Sequence, residues 1–120
     1  MEHKFEFDGI EYTWRRGTIR DVETRKVIIR KILRACNWET VEIPDVDNTL
    51  IYRYADTLSH LSPVKVAWWR DAGDAPEAVA EGYHAFTDMD EDFYDLLDTA
   101  AAAVAPLKKM TATPLKKSSE

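Results

Sequence analysis

Three histidines (His3, His60, His84), one cysteine (Cys36) and an acidic run, "DMDEDFYD" at 88–95, are the residues here whose types could do chemistry. A metal site needs ligands brought together, and local motifs achieve that by fixed spacing, as in H-E-x-x-H on a helix or paired Cys and His. None of those spacings occurs. A histidine standing alone in helical sequence is ordinarily a surface or partly buried group. The acidic run lacks the glycine and the spaced glutamate of an EF-hand loop, and its acids suit helix-start electrostatics. Glu91 and Asp95, four apart, form a conceivable carboxylate pair. On an open helical face nothing would drive their pKa values apart, as an acid/base division of labour requires.

Four glycines in 120 residues leave no phosphate-cradling loop, and no nucleophile-elbow motif is present. Cys36 falls on an apolar helical face and reads as core. A single cysteine allows neither an intramolecular disulfide nor a thiolate zinc site. The expectation is a protein without catalytic residues, metal or cofactor.

The elements that would carry these residues read as one mainly α domain over residues 1–105: an N-terminal β-hairpin followed by a bundle of four to five helices. "HKFEFD" alternates with period two, Asp8-Gly9 is a two-residue hairpin turn, and Ile10, Tyr12 and Trp14 supply the second strand. The hairpin thus spans 3–14. A two-stranded ribbon is marginal alone, so one aromatic face, Phe5/Phe7 or Ile10/Tyr12/Trp14, should join a helical core with Ile29 and Leu33.

Helices follow over 19–105. "TIRD" is an acidic capping box that starts a helix running to about Asn37. Ile19, Val22, Ile29, Ile32, Leu33 and Cys36 share one sector of its wheel, with Arg20, Glu23, Arg30, Lys31 and Arg34 opposite. Pro44 breaks the next connection, and Asp47 or Asn48 can cap a second helix with an apolar stripe from Leu50 to Leu61. Ser62-Pro63 reads as the start of a short helix carrying "VKVAWWR". Asp74 and Glu77 start another, with Val79, Tyr83 and Phe86 inward. Asp88 and Glu91 start the last, with Phe93, Leu96, Leu97, Ala100 and Val104 on one stripe. Residues 106–120, "PLKKMTATPLKKSSE", have two prolines and few large apolar groups. They read as a flexible basic tail.

Charge is distributed unevenly. Nine Lys/Arg face six Asp/Glu over residues 1–34, three face fifteen over 35–105, and four face one over 106–120. An acidic middle disfavours nucleic acid, which binds basic surfaces. Basic ends around an acidic middle can make copies of the chain attract one another. No apolar run is long enough for a membrane span, and the expected place is the cytoplasm. Self-association would set the basic face of the first helix (Arg20, Arg30, Lys31, Arg34) against Glu91, Asp95 and Asp98 of a neighbour. In "AWWRD" the adjacent tryptophans point about 100° apart on a helix. Either both are core, or one of Trp68 and Trp69 is a partner-binding anchor.

"KFEFDGIEYTWRRGTIRDVE" resembles the start of the tail assembly chaperones of long-tailed, siphovirus-type bacteriophages. Those chains open with an "F-x-x-x-G-x-x-Y/V-T-L" ribbon, a short turn and a string of helices. Phe5 or Phe7, Gly9, Tyr12, Thr13 and Trp14 match that pattern, Trp14 standing where an aliphatic residue is usual. The resemblance covers the first third of the chain. It implies a non-enzymatic protein that binds and solubilises the tape measure protein, helps recruit tail tube protein, works in the host cell cytoplasm and is absent from the mature virion. In that family a programmed frameshift makes a longer form, and Lys108-Lys109 and Lys116-Lys117 are candidate sites. A virion tail-completion protein or a helical protein-binding adaptor would account for the same surface.

Overall fold

The computed structural model describes residues 2–64, 68 and 75–104. Strands β1 (Glu2–Phe7) and β2 (Ile10–Arg15) form the expected hairpin. Asp8 and Gly9 both take positive φ, 54° and 77°, as a tight primed turn requires. Pairing sets Phe5 opposite Tyr12, Phe7 opposite Ile10 and His3 opposite Trp14. Opposed residues share a face, so the two aromatic sets are one surface, not alternatives.

Helix α1 (Ile19–Ala35) opens with the capping box: Thr18 Oγ1 accepts from Asp21 N–H, and the Asp21 carboxylate accepts from Thr18 N–H. It closes at Asn37, whose φ of 59° turns the chain so that Asn37 N–H reaches Arg34 O and Trp38 N–H reaches Leu33 O. Helix α2 (Asp45–His60) starts earlier than expected: Pro44 holds the cap position, and Asp47 lies inside the first turn rather than capping. Arg25 on α1 pairs with Asp56 on α2 at 3.3 Å.

Ser62-Pro63 does not begin a helix. Leu61–Ser62 is a short strand, β3, that pairs antiparallel with β2 and makes a three-stranded sheet in the order β1-β2-β3. Most of the "VKVAWWR" helix lies outside the described residues, as do Asp74 and the tail at 106–120. Helix α3 (Pro76–Thr87) buries Val79, Gly82, Tyr83 and Phe86. Helix α4 (Glu91–Val104) buries Phe93, Leu97, Ala100 and Val104, while Leu96 is half-buried. Its cap is Asp90, whose carboxylate accepts from Asp92 N–H at 2.9 Å, not Asp88, which ends α3.

The sheet's aromatic face packs on α4. Phe93 sits 5.0 Å from Phe7, 5.5 Å from Tyr12 and 6.1 Å from Phe5, ring centre to ring centre. Ile29 and Leu33 are only partly buried, and α1 packs on α2 and α3 instead. They nevertheless pack against the same core cluster as Tyr12, Trp14, Phe5 and Phe7, as expected.

Candidate functional site

Candidate residues divide between a buried framework and an exposed rim. At the framework's centre, the carboxylate of Asp21 accepts from Arg15 Nη1 at 2.8 Å and Nη2 at 3.2 Å, while Nη2 also donates to Ser59 O at 2.6 Å. One guanidinium therefore ties β2, α1 and the last turn of α2 together. The Arg15 hydrogen bond, followed by those from Thr18, holds the Asp21 carboxyl well below the usual carboxylate range, against the opposing effect of burial. Asp21 is buried, and the pair joins three elements of the fold.

This lock fixes how α1 is rotated. With Asp21 turned inward, the buried line runs through Ile28 and Ile32. Ile19, expected in the core, is 88% exposed, and Val22 is 42% exposed. Both stand beside a groove of ≈ 510 Å³ lined by Trp14, Arg16, Gly17, Arg25, His60 and Val104, among others. His60 is stacked flat on Trp14, with centroids 5.0 Å apart and planes 4° off parallel, and its Nδ1 lies 2.9 Å from Asp56 O. Gly17 lies against the other nitrogen; a Cβ there would come within 2.7 Å of Nε2. His84 is exposed beside Tyr83. His60 and His84 thus lie apart, on α2 and α3. Among the described residues no group of three His, Cys, Asp or Glu is placed to hold a metal.

Of the expected self-association residues, Arg20 and Arg30 are exposed and Lys31 is half-buried on α1. Arg34 is exposed but lies 3.7 Å from Glu39 of its own chain. Glu91 and Asp95 are exposed on α4. Asp98 is already taken by Arg53 of α2, whose guanidinium also lies over the Tyr94 ring. The two charged faces therefore remain on different elements, with Arg34 and Asp98 engaged internally.

Trp68 is a core residue and no exposed anchor: it is 1% exposed, packed between Phe86 and Phe93, and its carbonyl accepts from the Tyr54 hydroxyl. Trp69 lies outside the described residues. Cys36, expected in the core, is only half-buried at its edge, and burial pushes its pKa up, away from reactivity.

Sequence reasoning missed the exposed apolar groups. Besides Ile19 and Val22, they include Val41 (55% exposed), Val46 (69%) and Tyr52 (57%). Val41 and Val46 lie in "VEIPDV", a run whose apolar and acidic residues alternate without an obvious partner face. No helix among the described residues is long and apolar enough to cross a membrane. No family model, curated protein or solved structure matches the chain.

Proposed function

We propose that this chain is a non-enzymatic tail assembly chaperone of a long-tailed bacteriophage. It binds the tape measure protein, keeps it soluble in the host cytoplasm, helps recruit tail tube protein and leaves before the virion is complete. The observation that carries the reading is the N-terminal ribbon with its capped helix, joined to a rim of exposed aliphatic side chains that no pocket chemistry uses. A coat protein for an elongated hydrophobic partner needs apolar contact groups on an otherwise charged, soluble surface. Ile19, Val22, Val41, Val46 and Tyr52 are such groups.

Coating a long partner calls for many copies, so head-to-tail self-association belongs to this reading. It needs neither cofactor nor nucleic acid nor membrane. Co-expression with the tape measure protein encoded beside it tests the proposal. The partner should stay soluble and co-purify with this chain, and should precipitate without it. A tape measure protein equally soluble alone, or one that never co-purifies, would leave the adaptor reading in its place.

A further inference from the structure

Strand β1 is an outer strand: β2 pairs with one of its edges, and no strand among the described residues pairs with the other. The two-residue turn makes Phe7 and Ile10 a hydrogen-bonded pair, so Phe5 with Tyr12 and His3 with Trp14 are hydrogen-bonded pairs too. The alternate residues, Glu2, Lys4 and Glu6, therefore aim their backbone N–H and C=O groups out of the sheet. Among the described residues no backbone group bonds to them from that side.

The side chains along this edge are equally unfinished. Glu6 stands directly opposite Glu11 in a non-hydrogen-bonded pair, where facing side chains come closest. Both are exposed, neither has an ion-pair partner among the described residues, and like charges so placed repel. Glu2 and Lys4, on the same face, are exposed and unpaired as well. On the other face Phe5 and Phe7 pack on Phe93 of α4 yet stay half-buried, with no strand beside them at the open edge.

We propose that β1 is a docking edge for an extended segment of another protein, which adds to the sheet as a fourth strand. Its chemistry follows from the edge. A Lys or Arg lies opposite Glu6, β-branched apolar residues lie opposite Phe5 and Phe7, and an acid lies opposite Lys4. The base neutralises Glu6 and relieves its repulsion with Glu11. The apolar pair extends the aromatic face, and ladder hydrogen bonds at Lys4 and Glu6 supply the remaining affinity. The inference concerns β1 alone and goes beyond the chaperone reading, so either can fail without the other.

Titration of the isotope-labelled full chain with the end-blocked peptide SVKVETKS, followed by amide NMR, tests it. Laid antiparallel, this peptide sets its valines against Phe7 and Phe5, its first lysine against Glu6 and its glutamate against Lys4. The contact is small, so binding should be reversible and saturate in the millimolar range. Amide shifts should concentrate on β1, and hydrogen exchange should slow at Lys4 and Glu6. The peptide SVEVETKS, with a glutamate against Glu6, should bind about tenfold more weakly. Glu6→Lys, a change at an exposed position that should leave circular dichroism unaltered, should reverse that preference. N-methylation of the first lysine of SVKVETKS removes a ladder donor and should abolish binding. Shifts that map elsewhere, unchanged exchange at Lys4 and Glu6, or equal binding of the two peptides overturns the proposal. So does exchange at those amides that slows as the free chain is concentrated, which would give the edge to a second copy.

Discussion

Arg15 and Asp21 face each other across the junction of strand and helix, two nitrogens on two oxygens, with the carboxylate almost enclosed and the guanidinium half open to solvent. That fork decides which side of α1 is core, and so which apolar residues the surface shows.

Acid should dissolve this lock selectively. Asp21 has a lower pKa folded than unfolded, so the pair stabilises fully above the ordinary carboxylate value of ~3.9 and loses its contribution as pH falls below it. Asp21→Asn should cost about 1–3 kcal/mol at neutral pH. In urea unfolding the gap to wild type should narrow steadily from pH 5 to pH 2. A gap that stays constant with pH would deny the charge its role.

Phe93 joins sheet to helices. It is 1% exposed and touches the rings of Phe5, Phe7, Tyr12 and Trp68. Phe93→Ala should cost about 3–5 kcal/mol, enough to unfold much of a domain this size. Near-ultraviolet circular dichroism should collapse with it; a loss under 1 kcal/mol would mean the hairpin does not dock as described.

Gly82 is the position where α3 meets the backbone of Trp68. A Cβ there would lie 2.2 Å from the Trp68 carbonyl oxygen and 3.1 Å from the Tyr54 hydroxyl. Alanine ordinarily favours a helix over glycine by about 1 kcal/mol. Here the clash should reverse the sign, with Gly82→Ala destabilising by about 1–3 kcal/mol in thermal or urea melts.

Tyr12 is fully buried, and among the described residues its hydroxyl has no hydrogen-bond partner. Removing an orphan polar atom relieves a desolvation cost, so Tyr12→Phe should be neutral or stabilising by up to about 1 kcal/mol. A clear loss of stability would reveal a partner for that hydroxyl.

Deleting residues 106–120 should leave the thermal midpoint nearly unchanged. Among the described residues the buried core reaches to Val104, and the segment beyond offers only Leu107, Met110 and Leu115 as large apolar groups. A drop of several degrees would mean that this segment packs on the domain.

Much of the fold was legible because it is decided by near neighbours. Asp8-Gly9 specifies a turn through its own backbone preferences. Thr18 and Asp21 satisfy each other's backbone donors three residues apart, and Asn37 ends α1 by taking the left-handed conformation. The inward faces of α3 and α4 follow from spacings of three and four. None of these needs a distant partner, so the sequence by itself determined them. The rotation of α1 does need one. Its apolar residues spread around much of the wheel, and only Arg15 on the strand and Ser59 at the end of α2 turn Asp21 inward and Ile19 out. Strand β3 exists because Leu61 and Ser62 find the free edge of β2, which a two-residue stretch cannot announce. Trp68 is buried because Gly82, distant in sequence, makes room for its backbone. The exposed apolar side chains at Ile19, Val22, Val41 and Val46 are what this packing leaves uncovered, and only the tertiary structure could assign them.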